Sequence, residues 1–212
     1  MKHSDKYIKL QDRYTFNSYG HALEILETAF RTEFEELLDC LDKFVITLDD
    51  ITKGGGNESN IPKKISDVLY PLGWREIRIE ADLVVTLNPR KAKKDAEYEK
   101  RFTVDRYIDG HNIDYIKNSV AFDVEWNSKD QTFDRDLMAM KTYFDCGVID
   151  VGIILTRGQS LNPVFKHYNL MQKYGASTTH DGKLLYRLDA RRNGGCPILA
   201  ISIEKGVLQL DT

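Results

Sequence analysis

Residues 119–126, SVAFDVEW, constrain this chain more than any other stretch, because they set two carboxylates into an otherwise apolar run. Read as a strand, the period of two puts Asp123 and Glu125 on one face, about 6–7 Å apart. Two acids on a mostly buried strand are costly unless something compensates them, and a divalent cation is the simplest compensation. Residues 133–144, FDRDLMAMKTYF, follow as an amphipathic helix with Leu137, Met138 and Tyr143 available for packing and Gly147 as its C-cap. Residues 148–156, VIDVGIILT, are a near-continuous apolar run, as expected for a strand covered on both faces. The three segments form a βαβ unit with parallel strands and a right-handed crossover.

The 212 residues, 42% hydrophobic and 30% charged, suit one globular domain over 1–212 with a sizeable core. Thirty Lys and Arg against 33 Asp and Glu give a net charge of -3, so bulk charge gives no support for nucleic-acid binding. A local basic groove can still coexist with an acidic remainder. No apolar run reaches the roughly 18 residues of a membrane span, and MKHSDKYIKL lacks a signal-peptide core. A soluble, cytoplasmic protein without membrane contact is the expectation. Cys40, Cys146 and Cys196 are widely spaced and read as reduced thiols. The five histidines show no metal-binding spacing.

Along the rest of the chain, the first fifteen residues cannot be placed. Asn17 and Ser18 offer N-caps for one long helix to about Val45, with an apolar stripe from Leu23 to Phe44 and glutamates on the outer face. A glycine-containing loop is expected at 52–60 and a second helix at 61–70, opened by Pro62. Lys53, Lys63 and Lys64 near that junction read as solvated or as phosphate contacts. Residues 75–88 read as a strand, and 91–101 as a solvated charge run or a basic arm. A hairpin is expected over 103–116, turning at Asp109 and Gly110, with a further turn at Lys117 and Asn118. Later come a helix over 162–174, a short strand over 183–188, a basic loop DARRNGG at 189–195 and a buried strand at 197–203, with a possible edge at 207–210.

Asp114 completes a pattern D-x8-D-x-E with Asp123 and Glu125. Hard oxygen ligands without histidine or thiolate favour Mg²⁺, with Mn²⁺ able to substitute. The carbonyl of Val124 could complete the protein's share of the ligands. Such a site suits phosphodiester hydrolysis: it orients a water, lowers its pKa and offsets charge on the transition state, with Glu125 orienting or deprotonating the water. As an isolated pattern it is weak, because acids on strands are common; the apolar strand and the βαβ context strengthen it.

The pattern resembles the PD-(D/E)xK nuclease core in the variant that replaces the lysine. The stretch NSVAFDVEWNSKDQTFDRDLMAMKTYFDCGVIDVGIIL resembles the BglII/BstYI/BamHI-type type II restriction endonucleases, in which the last position is Gln or Glu. The segments YGHALEIL, FEELLDCL, KKISDVLYPLGWRE and LYRLDARRNGGCPILAISI extend the resemblance over most of the chain. It implies an α/β fold with a mixed central sheet flanked by helices. It also implies a homodimeric, Mg²⁺-dependent bacterial enzyme that cuts duplex DNA at a short palindrome and leaves 5′-phosphate ends and 5′ overhangs. The family's targets often carry GATC at the centre, which the resemblance extends to this chain. By position, Asp114 and Asp123 match the family's metal-binding acids and Glu125 the Gln, Glu or Lys position. Asp at 123 shortens the reach by a methylene relative to Glu. Glu76, after Trp74, resembles a residue that assists the water or metal. Asn127, Ser128 and Lys129 fall where the family reads bases. Arg187, Arg191, Arg192 and Asn193 are candidates for base or phosphate contact. A solvated polar loop is the alternative for each.

Two other functions compete. A repair or structure-specific nuclease of the same superfamily would produce fragments without a shared end sequence. A non-catalytic DNA-binding protein would tolerate amides in place of its acids.

Overall fold

The computed structural model describes residues 3–53, 60–87 and 100–210, apart from the side chain of His111. The loop expected at 52–60 and the charge run at 91–101 fall, except for their end residues, outside that description. The elements run α1 (Asp5–Leu10), β1 (Tyr14–Tyr19), α2 (Ala22–Thr28), α3 (Arg31–Lys43), β2 (Ile46–Thr47), α4 (Leu48–Thr52), α5 (Asn60–Leu69), β3 (Arg75–Leu87) and β4 (Lys100–Lys117). They continue β5 (Val120–Glu125), α6 (Thr132–Asp145), β6 (Val151–Arg157), α7 (Asn162–His167), α8 (Asp181–Asp189), β7 (Ile198–Ile203) and β8 (Leu208–Gln209). The fold is α/β, with a six-stranded mixed sheet in the order β1-β7-β6-β5-β4-β3. Strands β5, β6 and β7 are parallel; β1 and β4 run antiparallel to their neighbours β7 and β5. A separate parallel pair joins β2 to β8.

Every residue of β5, β6 and β7 is buried, because helices cover both faces of the parallel strands. On one face Val120, Phe122, Val124, Ile153, Leu155, Leu199 and Ile201 join a large core with Phe34, Leu37 and Ile65. On the other face lies α6, whose Phe133, Leu137, Met140 and Tyr143 are buried at a spacing of three and four. The helix comes so close to β6 that a Cβ on Gly152 would lie 2.5 Å from Met140 Sδ and 2.7 Å from Ile198 Cδ1. At its end Gly147 takes φ 70, and the Val148 amide bonds back to the Tyr143 carbonyl. Helix α8 packs on β7.

The described residues divide into two compact units, Met1–Glu76 with Ile113–Thr212, and Ile77–Asn112. In the second, Arg78 pairs with Glu80 and Asp109, and the Arg106 amide donates to Asp82.

Several expectations need correction. The long helix from Asn17 is three elements. Tyr14–Tyr19 pairs with β7 as a strand, and Gly20 and His21, at φ 63 and 62, turn the chain into α2. The N-cap of α2 is His21 rather than Asn17 or Ser18, although Ser18 Oγ, at the end of β1, accepts from the Leu23 amide; Phe30 breaks α2 from α3. The glutamates of α3 are not all outside. Glu33 is buried and accepts from Asn118, while Glu36 accepts from Lys117 and from the Trp74 indole. The hairpin over 103–116 is one strand, β4, because β3 supplies its partner; Arg106 and Gly110, at φ 51 and 79, are kinks within it. The strand over 183–188 is helix α8, where Leu184, Arg187 and Leu188 share one buried face. The helix over 162–174 stops at His167, and Asn169 takes φ 58 just beyond. Met138, expected to pack, is 54% exposed.

The turn at Lys117 and Asn118 is present, with Asn118 at φ 50 closing the register Lys117↔Val120. Helix α3 pins this turn through Glu33 and Glu36, and thereby fixes the two strands that carry Asp114 and Asp123.

Candidate active site

The β4–β5 ladder runs through Tyr115↔Phe122 and then gives way to side chains. The Asp114 amide donates to Asp123 Oδ1 at 2.8 Å, and the Val124 amide donates to Asp114 Oδ2 at 3.1 Å. Each aspartate thus lends one oxygen to the other strand, and this crossed brace brings both carboxyl groups together. Glu125 follows two residues along β5 on the same face as Asp123. From the facing helix α6 comes Asp136. Asp123, Glu125 and Asp136 are 5%, 8% and 5% exposed. One oxygen of each, Asp123 Oδ2, Glu125 Oε2 and Asp136 Oδ2, is buried without a hydrogen-bond partner.

Burial is the main cause that raises the pKa of every one of these acids. Asp114 is raised by desolvation and by the Glu76 charge, against its bond from Val124. Asp123 is driven well above the carboxylate range by desolvation and then by the charge of Asp114. Glu125 is raised by desolvation, with hydrogen bonds to Ser128 and Asp136 opposing. Asp136 is pushed up to about 9 by desolvation and by the charges of Glu125 and Asp123. The Arg135 charge opposes the rise in all four; its side chain is 67% exposed and lies 3.5 Å from Asp136 Oδ1. Glu76 opens β3, is exposed, and reaches this group through its field on Asp114.

Four crowded carboxyls, three of them with an orphaned oxygen, are an arrangement that a divalent cation relieves. The donor set is all oxygen, which suits Mg²⁺. Among the described residues, no group of three or more His, Cys, Asp or Glu side chains is already arranged to hold a metal ion. The fit therefore rests on the orphaned carboxylate oxygens, and Asp114 and Asp123, joined by the brace, are the carboxylates that could hold such an ion.

The loop after β5 carries Asn127, Ser128 and Lys129. Ser128 and Lys129 are exposed, while Asn127 Oδ1 is buried without a partner. A second loop lies against this one: Lys129 bridges Thr178, and the Thr179 amide donates to the Ser128 carbonyl. The late basic residues separate. Arg187 is 7% exposed, donates to Asp134 and to the Lys183 carbonyl, and lies over the Phe133 ring. Asn193 is buried and donates to the Cys196 carbonyl, holding a turn. Arg192 is exposed yet bonds Asp134 and covers Tyr186. Arg191 is exposed at φ 56. Of the lysines near the first loop, Lys53 pairs with Asp49, Lys64 with Asp50 and the Val45 carbonyl, and Lys63 is exposed.

The residues that sequence reasoning missed are Asp136 and Arg135. The available signal was the same one that picked out Asp123: an acid on an apolar stripe, here between Phe133 and Met140 at helical spacing.

No individual curated protein matches the chain. Among the described residues no helix is long and apolar enough to cross a membrane. From Tyr14 in β1 to Ile203 at the end of β7, residues 14–203, the chain matches the restriction endonuclease BglII/BglIII family, and it belongs to that family of DNA-acting hydrolases.

Proposed function

We propose that this protein is a type II restriction endonuclease that hydrolyses phosphodiester bonds of duplex DNA at a short palindromic site. The proposal has it act with Mg²⁺, or Mn²⁺ in its place, and leave 5′-phosphate ends. The observation that carries the reading is the Asp114–Asp123 brace, with orphaned Asp123 and Glu125 oxygens beside it, inside a chain of this family. Asp114 and Asp123, with the Val124 carbonyl, hold the ion in this reading. When bound, the ion supplies positive charge to the phosphate oxygens and lowers the pKa of a water. The protein's own part is positional. The amides of Asp114 and Val124 fix the carboxylates that face the ion. Glu125 accepts the hydrogen bond of the attacking water and takes its proton.

In this reading Ser128 and Lys129, both exposed, meet base edges together with Asn127, and the exposed Arg191 and Arg192 meet the phosphate backbone. Arg187 and Asn193 serve the fold. A palindrome presents the same half-site twice, so the proposal includes a homodimer. A GATC-centred target belongs to the reading through the resemblance alone.

Digestion of a phage-sized duplex with Mg²⁺, followed by sequencing of the ends, tests it. One shared palindrome at the ends supports the reading, with loss of cutting and retained DNA binding in Asp123→Asn. A random distribution of ends indicates a structure-specific nuclease of the same superfamily, and no cutting by the wild type overturns the reading.

A further inference from the structure

We propose that Arg157, buried at the end of β6, is a positioning residue that holds, through Thr178, the loop carrying Ser128 and Lys129, and thereby sets how strictly the cleavage site is read. The inference rests on the nuclease reading above and assigns the role to a side chain sealed from solvent.

Apart from Thr156, the residues of β6 before Arg157 are apolar or glycine, as a strand covered on both faces asks. Arg157 is 1% exposed, and a buried guanidinium destabilises a fold unless its donors are used. It lies 5.7 and 5.8 Å from the ring centroids of Phe165 and Tyr174, which stack on each other at 4.3 Å. An aliphatic side chain would fill that space; what the guanidinium adds is directed bonds. Nη2 donates to the Tyr174 carbonyl at 3.2 Å and to Thr178 Oγ1 at 2.6 Å. An arginine only donates, so the Thr178 hydroxyl accepts from it and donates its own proton to the Gly175 carbonyl, 2.8 Å away.

Thr178 sits between the two bonds that pair its segment with the loop after β5. The Asp130 amide donates to the Ser177 carbonyl at 3.0 Å, the Thr179 amide donates to the Ser128 carbonyl at 2.9 Å, and Lys129 lies opposite Thr178. Residues 168–180 lie between α7 and α8, outside any helix or longer strand, so their place depends on such anchors. The loop after β5 leaves the same aromatic cluster: Trp126 packs edge-on against Phe165 and Tyr174 at 6.4 and 5.9 Å. Ser128 and Lys129 are exposed on this supported backbone. A side chain discriminates between bases only while its backbone is held, and a loosened loop can shift to accept another base pair.

The test compares Arg157→Met, Thr178→Val, Thr178→Ser and the Arg157→Met/Thr178→Val double variant with the wild type, on a duplex carrying the site mapped by end sequencing and on duplexes with one base pair of it changed. Arg157→Met keeps length and apolar packing but loses the donors; Thr178→Ser keeps the hydroxyl. The ratio of kcat/KM between mapped and changed sites is expected to fall by about tenfold to a hundredfold in Arg157→Met and Thr178→Val. On the mapped site kcat is expected to stay within about threefold. The double variant should fall no further than the weaker single, because both changes break one bond. Thr178→Ser should keep the wild-type ratio. Independently of activity, the Asp130 and Thr179 amides should exchange about tenfold faster or more in Arg157→Met and Thr178→Val, with the Ile153 and Leu199 amides unchanged.

An unchanged ratio in both Arg157→Met and Thr178→Val overturns the inference, and so does a Thr178→Ser as unselective as Thr178→Val. Faster exchange throughout the sheet also overturns it, as the mark of a role in the fold alone. Wild-type fragments that share no end sequence overturn the nuclease reading and this inference with it. Digestion by the wild type alone reveals that, so the two failures are distinguishable.

Discussion

On β5, Phe122 and Val124 enter the large apolar core, and Phe122 stacks on Tyr115 with ring centroids 5.4 Å apart. One residue along, Asp123 and Glu125 enter the layer beneath α6, where three carboxyl oxygens have no partner. The backbone and the degree of burial are the same, but the chemistry is opposite. The Phe122 face stabilises the sheet. The Asp123 face is held in place by that sheet and by itself destabilises it. Strain of this kind persists only where a rigid scaffold overdetermines it. Here the scaffold is β6 and β7 beside β5, and the α3 glutamates that pin the β4–β5 turn.

The largest effect expected of a single change is Asp123→Asn. It should cut kcat by on the order of a thousandfold or more, as the loss of a central group in a metal-assisted hydrolysis does. The same change should raise the thermal midpoint of the metal-free protein at pH above the ordinary carboxylate range, because it removes a buried carboxyl whose ionisation burial and Asp114 oppose, while the amide oxygen can still accept from Asp114. Activity and stability measured on one sample check both, and a lower midpoint would break the contrast between the faces.

Next comes Phe122→Ala on the opposite face. It should cost about 3–5 kcal/mol, or roughly 6–20 °C in midpoint for a chain of this size. Residual protein that is folded at low temperature should still bind Ca²⁺. Calorimetric melting with a Ca²⁺ titration decides.

pH sharpens the contrast further. Asp114, Asp123, Glu125 and Asp136 are all raised when folded, so the metal-free native state binds more protons than the unfolded chain from about pH 4 to, for Asp136, about 9. Their contribution to stability is therefore full below the ordinary carboxylate range and is lost as pH rises through the raised values. The midpoint in EDTA should fall by several degrees between pH 5 and pH 8, and Mg²⁺ should flatten that slope. Melting curves across pH, with and without Mg²⁺, measure it.

The smallest effect separates the late arginines. Arg191→Ala should weaken binding of the duplex in Ca²⁺ by a few-fold and make the salt dependence shallower by about 0.9 per lost phosphate contact. Arg187→Ala should instead lower the midpoint, because its guanidinium is committed to Asp134. Equal losses of DNA affinity in both would break the distinction.

Much of this was legible in the chain. The acids at 114, 123 and 125, the helix after them and the apolar runs at 148–156 and 197–203 are local patterns. Period two, period 3.6 and continuous apolarity each impose one solution once a core must form. The β4–β5 turn was legible for the same reason, because Asn118 tolerates a left-handed backbone. What misled was equally local. KLLYRL has no strict alternation and became a helix once Leu184, Arg187 and Leu188 could share a face against β7. Asp109-Gly110 has the composition of a turn but lies inside a long strand.

Sequence alone determined which residues could bear a charge in an apolar setting and the order in which the βαβ segments follow. Only the tertiary structure decided that Asp114 and Asp123 exchange amide hydrogen bonds in place of ladder pairs. It alone decided that Asp136 is buried on the facing helix, and that Arg187 and Asn193 turn inward while Arg191 stays exposed. The physical reason is that periodicity gives the face on which a side chain lies, whereas the partner it meets depends on segments distant in the chain, brought together by burial of the sheet.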